Sequence, residues 1–166
     1  MKLLNHNESE TSPAPAPLTR KSPRIEVRSS SVHGKGVFAC RPLAAGVIIA
    51  EYCGPIMTWQ QAEQRRNTKP SRRDDDHTFL FQISKRYVID ATPSRCRAKW
   101  INHSCAPNCQ AVLTGRRVFI ETLRHIDIGE ELFFDYQLQA SGDALTDGSY
   151  PCYCASPRCR GTMLSA

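Results

Sequence analysis

The sequence has no apolar run approaching the roughly 18 residues that a membrane span requires, so no membrane-embedded role is expected of it. Its opening stretch, MKLLNHNESE, lacks the apolar core of a secretory signal. There is no internal repeat, little helical periodicity, and no cysteine-rich segment before residue 24. What is present is an ordinary globular composition of 166 residues, 40% hydrophobic and 23% charged. That length suits one domain with a core of its own plus a tail.

Lys and Arg outnumber Asp and Glu by 22 to 16, a net charge of +6. Such a surface favours an acidic partner, or a partner itself bound to something acidic such as nucleic acid. Mild basicity is common, so direct nucleic-acid binding is not expected as the main role. The eight cysteines admit two readings. Four disulfides would suit a secreted domain, but no secretory signal is seen. Cys152, Cys154 and Cys159 instead crowd together at a spacing suited to ligands of one metal ion. The expected setting is an intracellular, reducing compartment: cytoplasm in a bacterium, nucleus in a eukaryote. Cys40, Cys53, Cys96 and Cys109 are expected in the core as small apolar residues.

Residues 1–23 carry the run SPAPAPL and read as a disordered tail with little to bury. From Arg24 the pattern turns to short strands: IEVRSSS, then HGKGVFAC, then a turn at Gly46 and a buried run ending at Gly54-Pro55. Thr58 to Arg66 is the helix candidate, with Thr58 and Gln61 spaced as a capping box. Residues 67–76 read as a charged loop. FLFQI and RYVIDA look like strands, CRAKWINHSCAPNC looks irregular, and QAVLTGRRVFIETLRHI looks like a hairpin about Thr114-Gly115. GEELFFDY is a further turn and strand, and 138–149 a flexible connector. A mostly β domain follows.

Four separated segments and a cysteine cluster carry the chemistry. They are Gly34-Lys35-Gly36, Glu51-Tyr52-Cys53-Gly54, Asn102-His103-Ser104-Cys105 with Pro107-Asn108-Cys109, and Gly129-Glu130-Glu131-Leu132 through Phe134-Asp135-Tyr136. Cys152, Cys154 and Cys159 follow, with Arg160-Gly161. Alone, a Gly-x-Gly is usually a plain turn, and an Asn-His pair usually stabilises one. In this order and spacing the set closely resembles the SET domain of protein lysine methyltransferases, with its C-terminal post-SET cysteine motif. The resemblance covers about residues 24–164. Two departures stand out: Lys99-Trp100 occupies a position where Arg-Phe is commoner, and a cysteine-rich segment ahead of the domain is missing.

The resemblance implies a SET fold of small curved β-sheets with a C-terminal pseudoknot. It assigns residues 24–137 to the SET domain and 150–166 to the post-SET zinc motif. It implies S-adenosylmethionine as methyl donor, contacted by Gly34, Lys35, Gly36, Asn102 and His103. His103 is expected to position rather than to move protons. Tyr136 is the expected catalytic tyrosine, assisted by Tyr52, and Phe134 the expected wall of the lysine channel. Phe134 has no hydroxyl, which resembles enzymes that reach di- or trimethyllysine. One structural zinc is implied on Cys105, Cys152, Cys154 and Cys159. Met163 and Leu164 are candidates to cover the adenine. The expected partner is a lysine-containing protein such as a histone tail, with Asp74, Asp75 and Asp76 as possible acidic contacts. The alternative is a catalytically silent zinc-containing module that binds protein or nucleic acid.

Overall fold

The computed structural model describes residues 23–68, 79–139 and 150–165. The tail, the acidic run Asp74–Asp76 and most of the connector lie outside these residues. The described chain forms three small sheets, one helix and one 3₁₀ turn.

β1 (Ile25–Ser29) and β2 (Lys35–Ala39) form an antiparallel pair. Alternation puts Val37 and Ala39 on the buried face of β2, while Phe38 between them is only half-buried. β3 (Ile48–Tyr52) leads through Gly54 into β4 (Ile56–Thr58). A Cβ at Gly54 would lie 2.2 Å from the Asp90 carbonyl oxygen, so only glycine lets the two backbones approach. The helix α1 (Trp59–Thr68) follows. Its start is the expected capping box. The Gln61 N–H donates to Thr58 Oγ1 at 3.2 Å, and the Thr58 N–H donates to Gln61 Oε1 at 2.9 Å. The helix runs two residues beyond Arg66, so Asn67 and Thr68 belong to it rather than to the charged loop.

β5 (Leu80–Gln82) and β6 (Tyr87–Asp90) join β4 in a sheet of order β4-β6-β5. The stretch expected to be irregular holds a 3₁₀ turn (Ala98–Trp100) and a two-residue strand, β7 (Asn102–His103). β8 (Cys109–Thr114) and β9 (Arg117–Thr122) form the expected hairpin, and β3 pairs along β9. Gly115 opens its two-residue turn at φ 61°, the positive φ that such tight hairpins need.

β10 (Glu131–Phe134) is one of the two inner strands of the remaining sheet, order β1-β2-β10-β7. It runs antiparallel to β2 and parallel to β7. Asn108, buried between strands, completes the pairing of β10. Its Nδ2 donates to the Glu131 carbonyl at 2.7 Å, and its Oδ1 accepts the Phe133 N–H at 2.8 Å. The core beneath is aliphatic, built on Val37, Ile101, Val118, Ile120, Ile126 and Leu132. Full burial of each such side chain contributes about 1.5–3 kcal/mol. Of the cysteines expected there, Cys96 and Cys109 are buried, but Cys40 is only half-buried and Cys53 is exposed. Cys53 follows the end of β3, where the chain turns outward toward Gly54.

Candidate active site

The parallel pairing of β7 with β10 sets Asn102 beside Phe133 and His103 beside Phe134. Segments distant in sequence thereby become one site. Asn102 is buried, and its Nδ2 donates to the carbonyls of His33 (3.3 Å) and Lys35 (3.0 Å) and to the Glu131 carboxylate (3.0 Å). The Gly34-Lys35-Gly36 turn is thus tied to β7 and β10. Gly34 has φ 46°. A Cβ at Gly36 would meet Glu131 Oε1 at 2.0 Å, so glycine leaves room for the carboxylate that Asn102 holds. The Lys35 ammonium lies 4.5 Å from the centre of the Trp100 ring, a cation–π contact. Lys99 also caps backbone: its Nζ donates to the carbonyls of Ala91, Thr92 and Ser94 at 2.9–3.2 Å.

His103 is buried against the Tyr136 ring, with centroids 5.3 Å apart. Its Nδ1 accepts the backbone N–H of Tyr136 at 3.1 Å, which leaves the proton on Nε2. Nε2 points at Cys105 Sγ, 3.4 Å away. Burial lowers the His103 pKa; the nearby Asp135 carboxylate opposes this and Arg160 adds to it. The ring is a neutral, doubly bonded spacer.

Tyr136 donates its hydroxyl to the Ile101 carbonyl at 2.8 Å. Burial raises its pKa well above the ordinary phenol range. Tyr52 is likewise raised, first by burial and then by the neighbouring Tyr136. Neither phenol is ionised at neutral pH. Phe81, which the sequence did not single out, joins the expected residues in one aromatic chain: Tyr52 to Phe81 (5.2 Å), Phe81 to Phe134 (6.3 Å), and Phe134 to Tyr136 (4.9 Å).

The Sγ atoms of Cys105, Cys152, Cys154 and Cys159 all lie within 4.8 Å of one another. Cys105 and Cys152 are 3.7 Å apart. A zinc–thiolate tetrahedron, with bonds of about 2.3 Å, has edges of about 3.8 Å, so the donor set fits that ion. Backbone N–H groups of Arg160 and Gly161 each point at a sulfur, on Cys105 and Cys159, at 3.4 Å. Such donors suit thiolates.

A second fastening holds the same tail. Arg160 donates through both Nη atoms to the Asp135 carboxylate, each at 2.8 Å. Burial alone would raise the Asp135 pKa, but Arg160 and the Gln137 N–H outweigh it and hold the carboxyl below its ordinary value. Leu138 then pairs with the tail, its N–H donating to the Met163 carbonyl and its own carbonyl accepting from Ser165. Met163 and Leu164 are half-buried where the tail returns.

A family model described as "SET domain" matches residues 34–137. The chain belongs to the SET-domain family. Among curated proteins, this SET domain is 35% identical over 146 residues to "Histone-lysine N-methyltransferase, H3 lysine-4 specific" of Mycosarcoma maydis, covering 86% of this chain and 10% of that protein. It is 34% identical over 152 residues to "Histone-lysine N-methyltransferase set1" of Dictyostelium discoideum, covering 89% and 10%. It is 31% identical over 153 residues to "Histone-lysine N-methyltransferase SETD1B" of Homo sapiens, covering 88% and 7%. The chain thus spans about a tenth or less of the length of these relatives.

Phe81 lies outside the motif segments of this SET domain, and although Asn108, Asp135 and Arg160 lie within them, the sequence assigns no role to Asn108 and no pairing to Asp135 and Arg160. Phe81 had a signal, since alternation in FLFQI puts Phe79 and Phe81 on one face. Phe79 packs edge-on to Trp100, and Phe81 bridges Tyr52 to Phe134. The ion pair had no sequence signal, because 25 residues separate its partners.

Proposed function

We propose that this SET domain transfers methyl groups to the side-chain amine of lysine in a protein, with S-adenosylmethionine as donor and one structural zinc. The observation that carries the reading is the β7–β10 pairing, which gathers Asn102, His103, Phe134 and Tyr136 around one point. S-adenosylmethionine, when bound, supplies a methyl made electrophilic by a positively charged sulfur. The Gly34-Lys35-Gly36 turn and the backbone at Asn102 and His103 hold it.

Tyr136 donates its only proton in a hydrogen bond to the Ile101 carbonyl, so its oxygen lone pairs are left to accept. They orient a methyl group through weak C–H···O contacts. Because Tyr136 and Tyr52 stay protonated, neither takes the proton of the substrate amine. A free lysine has a pKa of about 10.4. Desolvation between the walls of Tyr52, Phe81, Phe134 and Tyr136, with the positive sulfur of the donor nearby, disfavours its charged form, so the amine releases its proton to solvent and attacks as a neutral nucleophile. Phe134 places no hydroxyl in this channel, which leaves space for a second and third methyl.

The four cysteines hold the zinc that fastens the tail of residues 150–166 across the site, and residues 138–149 connect it to the domain. The relatives' names point to a histone substrate, and lysine 4 of histone H3 is the first site to assay. Such a substrate implies action in a nucleus. No helix among the described residues is long and apolar enough to cross a membrane.

The test is a radiolabelled methyl-transfer assay on core histones with zinc-replete protein. Label on lysine that Tyr136→Phe abolishes supports the reading. Absence of both label and S-adenosylmethionine binding rejects it and leaves the silent binding module.

A further inference from the structure

Two hairpin tips from different sheets meet on one aromatic ring. The β5–β6 turn carries Lys85 and Arg86, and the β8–β9 turn carries Arg116, with Arg117 opening β9. The Arg86 guanidinium carbon is 5.5 Å from the Tyr87 ring centre, and that of Arg116 is 4.8 Å away. Tyr87 is held in place, half-buried against the core, with its N–H donating to Ser84 Oγ at 3.1 Å. Arg117 is occupied by the Glu51 carboxylate, through two bonds of 2.9 and 2.7 Å, and by the Phe119 ring. Lys85, Arg86 and Arg116 are exposed and take part in no ion pair among the described residues.

Three cations at one place, with no carboxylate paired to them among the described residues, form a patch of positive potential that attracts an anion. The ring fixes two of the guanidiniums, so little side-chain freedom remains to be lost on binding. Guanidinium forks match phosphate oxygens. With both guanidiniums over it, Tyr87 offers no bare platform for stacking unpaired bases. The tips are linked to the channel residues: β5, which leads into one tip, carries Phe81, and Arg117 at the foot of the other holds Glu51, the neighbour of Tyr52.

We propose that the Lys85-Arg86-Arg116 tips dock the phosphate backbone of duplex DNA, without reading its sequence, and orient the channel toward a DNA-bound protein substrate. The choice of duplex DNA rests on the histone reading above; the phosphate-binding surface does not.

The test is fluorescence anisotropy of the whole chain with a labelled random duplex of about 30 base pairs across a salt series. The R86E/R116E variant is expected to bind about tenfold or more weakly. Its salt slope should be shallower by about 2, one unit for each lost phosphate contact. R86Q/R116Q should show the same trend more mildly, and R28E on β1 should bind as the parent does. Methylation of a free histone H3 peptide should be unchanged in R86E/R116E, while methylation of nucleosomes should fall. Duplex binding that the double variants leave unchanged overturns the proposal, as does absence of salt-dependent binding. Tighter binding of single-stranded RNA than of duplex through the same residues also overturns it. Loss of peptide methylation in the parent, with duplex binding intact, would count against the enzymatic reading alone.

Discussion

The Tyr136 hydroxyl donates a 2.8 Å hydrogen bond to the carbonyl of Ile101, a residue 35 positions earlier in the chain. That bond decides what the phenol has left to offer. With the proton committed, the oxygen has only its lone pairs to offer and acts as an acceptor. Tyr136→Phe should therefore cut methyl transfer by at least about tenfold, the equivalent of 1.4 kcal/mol in the barrier. S-adenosylmethionine affinity should hardly change, and stability should fall by about 1 kcal/mol. Steady-state kinetics beside calorimetric binding separates these effects; a lost affinity would make Tyr136 a cofactor ligand instead.

Phe134 is buried 4.9 Å from the Tyr136 ring. In the proposed lysine channel, a hydroxyl added there would occupy space and give the amine a hydrogen-bond partner. Phe134→Tyr should keep monomethylation and suppress the later products. Mass spectrometry of a methylated histone H3 peptide reads the distribution, and an unchanged pattern would remove Phe134 from the channel wall.

Asn102 fastens the Gly34–Gly36 turn through the carbonyls of His33 and Lys35. Asn102→Ala leaves those carbonyls and the Glu131 carboxylate short of a donor. S-adenosylmethionine should bind about tenfold more weakly, a loss of about 1.4 kcal/mol. Isothermal titration calorimetry measures this directly.

Removing one sulfur tests the metal cluster. Elemental analysis of the parent should find about one zinc per chain, and Cys159→Ser should lose most of it. Arg160→Ala should keep the zinc yet loosen the tail, because it breaks the bonds to Asp135 and to the Leu164 carbonyl and leaves the four sulfurs in place. Limited proteolysis between residues 139 and 150 would report both.

Glu130 accepts from Arg124 and Asn108 and from the Asp127 N–H. Arg124 holds its pKa below the ordinary carboxylate value, against the effect of partial burial. A carboxyl depressed in the folded state adds stability above its unfolded pKa of about 4.3 and loses it as pH falls through the folded value. Glu130→Gln should cost about 1 kcal/mol at neutral pH, discounted for the exposure of Arg124. The difference from the parent should vanish in acid. Urea denaturation at several pH values checks the sign.

Local features were legible in the sequence. The Thr58–Gln61 capping box and the Gly115 hairpin depend on residues a few positions apart, so local chemistry specifies them. The motif segments and the cysteine cluster were legible too, because their residue types and order resemble a known family. Tertiary structure alone decided which residues converge. The parallel β7–β10 contact places His103 between Tyr136 and Cys105. Phe81 becomes the bridge between Tyr52 and Phe134, and Arg160 reaches Asp135 across the tail. Cys53, apolar by composition, ends exposed because β3 stops one residue before it. Those outcomes depend on how three sheets pack. Burial and long-range hydrogen bonding are properties of the assembled core, and no local window of sequence contains them.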